Sequence, residues 1–104
     1  MSQVNLLQPT DLKDFLQKEQ PFLLDVRTMD EFRGKHLEGA VNIPLDALPY
    51  KLEEVPRDRS VLVYCLHGMR SGKAAAFLVA KGYAKITMLD GGMDALEELE
   101  RPAL

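Results

Sequence analysis

Val61-Leu62-Val63-Tyr64-Cys65-Leu66-His67-Gly68-Met69-Arg70-Ser71 is the stretch that decides how this chain folds. Its opening residues are apolar without a break, as in a strand covered on both faces. Leu66 to Gly68 read as a tight loop, and Met69-Arg70-Ser71 as the start of a helix continued by Ala74, Ala75, Phe77, Leu78 and Val79. Gly82 stops that helix in the position a left-handed cap needs. Strand, loop and helix in this order form one unit of a parallel α/β sheet.

The same alternation extends in both directions. Runs at 4–6, 22–26, 41–43 and 86–89 have strand character. Pro9 suits a first helical turn, after which Leu12, Phe15 and Leu16 share a face. Thr28 can cap a short helix that buries Met29 and Phe32. Leu48, Leu52 and Val55 follow helical spacing, closed by Pro56, and Met93, Leu96 and Leu99 give a last amphipathic helix after Gly91-Gly92. The expectation is one domain over residues 1–104, a parallel sheet with helices on both faces. Ligands of such sheets gather outside the carboxyl ends of the strands, which is where Cys65 lies.

Composition narrows the function classes. The chain has 104 residues, 46% hydrophobic and 28% charged, which is ordinary for a globular domain. A net charge of −3 gives a nucleic-acid partner no electrostatic support, although a locally basic loop can still attract a small anion. No stretch reaches the length of a membrane span, and Met1 to Lys13 lacks a basic end followed by an apolar run, so a cytoplasmic protein is expected. One cysteine forbids an internal disulfide, and with two histidines it leaves no zinc-ligand pattern.

Cys65 is therefore either core filler or a reactive thiol. Free cysteine is often buried and inert, and a position inside the strand would favour that reading. Cys65 instead follows the strand and precedes a glycine and an arginine. A thiolate is the nucleophilic form, and it can be held near neutral pH by surrounding donors and positive potential. A loop that closes around the sulfur and runs into a helix supplies backbone N–H groups and the helix dipole. Gly68 permits the tight turn, Arg70 adds a permanent positive charge, and Ser71 adds a hydroxyl. The same cradle suits a thiolate, a persulfide and an incoming oxyanion, with Leu66, His67, Gly68, Met69, Arg70 and Ser71 as its substrate-binding residues.

Cys-x-x-Gly-x-Arg-Ser, from Cys65 to Ser71, resembles the active-site loop of the rhodaneses, the thiosulfate sulfurtransferases. Leu24-Asp25-Val26-Arg27, Glu31-Phe32 and the run from His36 to Pro44 are similar to the family's first signature. Leu89-Asp90-Gly91-Gly92 is similar to its third. The resemblance spans nearly the whole chain and implies an α/β domain around a central, mainly parallel five-stranded sheet. It also implies ping-pong chemistry without a cofactor. Cys65 takes a sulfur from a small anionic donor such as thiosulfate and passes it to cyanide, a thiol or a small redox protein. Two departures stand out: Leu96 occupies a position where the family often has Trp, and Lys35 separates Gly34 from His36. Leu96 is expected to alter packing only, and neither departure touches the nucleophile.

Other polar residues have plainer readings. Arg27 and Glu31 are expected to pair and join a strand end to a helix, and Asp25 to be a hydrogen-bonded anchor near the loop, so Asp25 and Arg27 support the site. His36 should satisfy nearby backbone groups. His67 either helps bind an anion or points to solvent. Met69 either lines the mouth or is simply exposed, and Glu97, Glu98 and Glu100 form a solvated helix face.

Rival functions fit less well. A phosphatase or arsenate reductase also uses Cys and Arg to hold a tetrahedral oxyanion, but phosphatase loops need one residue more than the four between Cys65 and Arg70. A non-catalytic binding module of the same fold commonly lacks the cysteine. A nucleotide-binding loop is excluded, because Gly68 to Gly72 is one residue short and Ala74 follows Lys73 where Ser or Thr is required. A persulfide carrier serving a protein acceptor remains an alternative to turnover with small molecules.

Overall fold

A computed structural model describes residues 4–101; residues 1–3, the first part of the N-terminal reading, and residues 102–104 lie outside it. The strands are β1 (Val4–Leu7), β2 (Phe22–Asp25), β3 (Val41–Asn42), β4 (Val61–Tyr64) and β5 (Ile86–Leu89). Between and after them run α1 (Leu12–Glu19), α2 (Met29–Gly34), α3 (Met69–Ala80) and α4 (Gly92–Glu100). The sheet has five strands in the order β1-β5-β4-β2-β3. Every pairing is parallel. The expected α/β sheet is thus present, with β4 and its loop near the centre.

Side chains of β4 alternate between two cores, as the period of a strand requires. Val61, Val63 and Cys65 face one core, with Ala74, Ala75 and Leu78 of α3 and with Leu48 and Val55. Leu62 and Tyr64 face the other, with Leu12 of α1 and Met93 and Leu96 of α4. Continuous hydrophobicity in β4 follows directly, since both faces are covered. Leu96 fills the place of the expected aromatic residue and is 7% exposed.

Local signals held where the chemistry was local. Thr28 and Glu31 form a reciprocal capping box at the start of α2. Gly82 has φ +93°, so the end of α3 uses the conformation that glycine alone adopts cheaply. His36 Nδ1 lies 2.7 Å from the Phe32 carbonyl, and its ring stacks on Phe32.

Three expectations need correction. Leu48, Leu52 and Val55 lie on two short 3-10 turns, Leu48–Tyr50 and Leu52–Glu54, rather than on an α-helix. The apolar side chains reach the core without an α-helical ladder. Met29 is 53% exposed instead of buried, and Phe32 is only half-buried, stacking on His36, because α2 is under two turns long and buries none of its residues. Leu99 is likewise exposed at the end of α4, where the helix has run past the core.

Candidate active site

β4 ends at Tyr64, and the chain turns at once around the sulfur of Cys65, which is 1% exposed. The Gly68 N–H donates to Cys65 Sγ at 3.0 Å and the Ser71 N–H at 3.3 Å. The thiol in turn lies 3.4 Å from Ser71 Oγ, and the Ser71 hydroxyl donates to the Gly68 carbonyl at 3.1 Å. Gly68 can bend this sharply because its φ is +114°, a value that strains any residue with a Cβ. Burial pushes the Cys65 thiol up, but the Ser71 hydroxyl and the N–H groups of Ser71, Gly68 and His67 outweigh it. The net effect holds the thiol below its ordinary range.

The first peptides of the loop are held from its outer side. The Met93 N–H donates to the Cys65 carbonyl and the Asp94 N–H to the Leu66 carbonyl, both at 2.9 Å. Those are unpaired donors in the first turn of α4, and the loop carbonyls satisfy them. The Leu66 carbonyl shares its peptide plane with the His67 N–H, so drawing that carbonyl toward α4 turns the His67 N–H to the sulfur's side, where it helps to lower the thiol's pKa. Gly92 makes the approach possible: a Cβ there would stand 2.6 Å from the Leu66 carbonyl oxygen and would also strike that of Cys65. The role of Gly92 and Asp94 was not readable from spacing. Only the Gly91-Gly92 pair hinted at a close backbone contact.

The remaining loop residues divide by exposure. Leu66 is half-buried, Met69 is 76% exposed, and Ser71 is fully buried. His67 Nδ1 lies 3.0 Å from Asp94 Oδ2, both side chains largely in solvent, so the ring leans on α4 outside the sulfur's donor set. Arg70 is not among the sulfur's hydrogen-bond donors. Its Nη1 and Nη2 hold Glu31 Oε1 and Oε2 at 2.6 and 3.0 Å. This fork, helped by the Thr28 contacts and opposed by burial, holds the Glu31 carboxyl at about 2. The Cys65 and Arg70 charges still interact, which contributes to keeping the guanidinium protonated.

The expected Arg27–Glu31 pair is therefore replaced. Arg27 folds back on Asp25, donating through its backbone N–H at 2.9 Å and through Nε and Nη2 at 2.8–3.1 Å. Both residues are buried, so a lone charge at either place would be costly, and each satisfies the other. Asn42 Nδ2 donates to the carbonyls of Asp25 and Arg27 and ties β3 to this corner. Tyr64 lies beneath, its hydroxyl accepting from the Leu37 N–H at 3.1 Å and its pKa raised chiefly by burial. The corner thus supports the strand ends and exposes no titratable group to the sulfur's mouth.

Comparison with known proteins agrees with this geometry. The chain is 36% identical over 77 residues to a sulfurtransferase of Allochromatium vinosum, covering 74% of this chain and 72% of that protein. It is 32% identical over 94 residues to the thiosulfate sulfurtransferase GlpE of Tolumonas auensis, covering 90% of this chain and 89% of that one. A rhodanese-related protein from Thermoplasma volcanium superposes with a TM-score of 0.84 at 29% identity, over 96% of this chain and 97% of its own. The rhodanese-like domain profile matches residues 8–99, which include β2, the Cys65 loop and the Gly91-Gly92 turn alike, and the chain belongs to the rhodanese-like domain family.

Proposed function

We propose that this protein is a sulfurtransferase that carries a sulfane sulfur as a persulfide on Cys65. The observation that carries the reading is the convergence of the Gly68 and Ser71 N–H groups and the Ser71 hydroxyl on one buried sulfur. That arrangement favours a charged sulfur and needs no external base to hold it. The Cys65 thiolate attacks the outer sulfur of thiosulfate; a sulfur–sulfur bond forms as the bond to the sulfonate group breaks, and sulfite leaves with the electron pair. An acceptor then attacks the outer sulfur, and the pair returns to Cys65. With cyanide the product is thiocyanate; with a thiol it is the acceptor's persulfide. As the proton moves off Cys65, the Ser71 hydroxyl can turn from the Gly68 carbonyl to donate to the sulfur.

Four residues separate Cys65 from Arg70, one fewer than phosphatase loops need, so sulfur chemistry is favoured over phosphate chemistry. Residues 1–104 act as one domain, and the cytoplasm is the compartment proposed; among the described residues no helix is long and apolar enough to cross a membrane. The test is intact-mass measurement after incubation with thiosulfate. A gain of one sulfur atom, lost again on adding cyanide and absent in Cys65→Ser, is expected. An unmodified Cys65 across thiosulfate and other sulfane donors would overturn the reading.

A further inference from the structure

We propose that the cavity beside Arg70 binds a small thiol bearing both an ammonium and a carboxylate, as the acceptor of the sulfur on Cys65. The inference rests on the transfer reading above and names its second substrate. Val26, Thr28, Pro44, Leu45, Asp46 and Arg70 line a cavity of about 350 Å³. That lies within the range of small-molecule sites, roughly 300–1,000 Å³. Its floor is fixed to the strand ends at the sulfur. The Val26 N–H donates to the Tyr64 carbonyl, immediately before Cys65, and the Leu45 N–H donates to the Val26 carbonyl, both at 3.1 Å. Asp25 pairs with Tyr64 in the β2–β4 register, which sets Val26 level with Cys65.

The lining is apolar except for Thr28 and two charged side chains of opposite sign. Asp46 is exposed and has no hydrogen-bond or ion-pair partner among the described residues. Arg70 gives Glu31 one donor from each terminal nitrogen, and its remaining N–H groups are uncommitted. The Thr28 hydroxyl is already occupied within the capping box. An ammonium at Asp46 and a carboxylate at Arg70 complement the cavity, whereas a thiol with one charge leaves one group unmatched. The acceptor thiolate attacks the outer sulfur of the Cys65 persulfide, the new bond forms on the acceptor, and the bonding pair returns to Cys65. No oxidant is consumed.

The test uses sulfur-loaded protein and a set of thiols: cysteine, cysteamine, 3-mercaptopropionate and 2-mercaptoethanol, compared at equal thiolate concentration. Loss of the sulfur mass from Cys65 gives the rate. Cysteine should be fastest, each missing charge should slow transfer about three- to fivefold, the size of an exposed ion pair, and Asp46→Asn should bring the cysteine-to-mercaptopropionate ratio near one. Binding is read separately, by titrating S-methylcysteine into unloaded protein and following the amide resonances of Val26, Leu45 and Asp46. These should shift in the natural protein and much less in Asp46→Asn. Rates indifferent to charge, or resonances that do not move, overturn the cavity's role. Failure of Cys65 to load with sulfur strikes the transfer reading instead, and the S-methylcysteine titration then still decides whether the cavity binds.

Discussion

Replacing Gly92 with Ala tests whether α4 sets the chemistry of Cys65. The added Cβ would meet the Leu66 carbonyl carbon at 2.7 Å and its oxygen at 2.6 Å, so the loop and helix must separate by roughly 1 Å to reach ordinary contact. Separation lengthens the Met93-to-Cys65 and Asp94-to-Leu66 hydrogen bonds, now 2.9 Å each, and their loss costs about 0.5–1.5 kcal/mol apiece. The φ of +63° adds about 1–2 kcal/mol once a Cβ is present. The expected loss is roughly 2–5 kcal/mol, which lowers Tm by about 10 °C or more in a domain of this size. With the Leu66 carbonyl released, the His67 N–H in the same peptide plane tilts away from the sulfur, and the turn that carries the Gly68 N–H loosens with it. The Cys65 pKa should then rise toward that of a free thiol, and transfer should slow about 100-fold. Gly91→Ala is the control: its φ is +73°, but its Cβ would strike the Ala95 side chain inside α4 and not the loop. The assays are thermal unfolding and the pH dependence of Cys65 alkylation by a small neutral reagent. If Gly92→Ala shows the natural alkylation profile, or Gly91→Ala shifts it equally, the helix does not orient the loop.

Other expectations are more direct. Cys65→Ser should remain folded, because a hydroxyl accepts from the same Gly68 and Ser71 N–H groups, and should lose sulfur transfer entirely; residual turnover above a trace would remove Cys65 from the mechanism. Ser71→Ala removes the hydroxyl that faces the sulfur, and that can donate to it once the thiol proton is gone, but keeps both backbone donors, so alkylation should titrate at higher pH, and an unmoved profile would count against the hydroxyl's role. Glu31 has a folded pKa depressed to about 2 from 4.5, so its pairing with Arg70 is fully present above pH 4.5 and fades as pH falls through about 2. Glu31→Gln should therefore flatten the acid limb of stability between those values and cost about 1–2 kcal/mol at neutral pH after allowing for partial exposure. Equal acid profiles for the two proteins would refute it.

The elements legible in the sequence are those whose cause is local. β4 and β2 announce themselves because both faces are covered, and Thr28 to Glu31 encodes its own cap within four residues. The turns at 48–54 were not distinguishable from a helix, since both place Leu48 and Val55 inward and only the backbone ladder differs. Choice of ion partner was also hidden. Arg27 had carboxylates at positions 25 and 31, and the decision depended on where α3 delivers Arg70. Within the site, the Cys65 loop was readable because a cysteine, a glycine and an arginine mark its strand-to-helix turn. Its external support was not, because Gly92 and Asp94 come from an element more than twenty residues downstream.

Cys65 is both the only thiol of the chain and recessed to 1% exposure. In the proposed cycle no second thiol within these 104 residues can fold back and expel the sulfur as a disulfide, so unloading needs a nucleophile from outside them. Recession also sets a requirement of reach. In that proposed cycle the added sulfur lies about 2 Å beyond Sγ, the length of the new bond. It is then this outer sulfur, and not Sγ, that an acceptor must touch. A bare ion, a slender thiol or a cysteine on a protruding turn can touch it, while two copies of this chain cannot bring their own buried sulfurs together. On the proposed reading, the loaded and empty proteins would present different atoms to a partner.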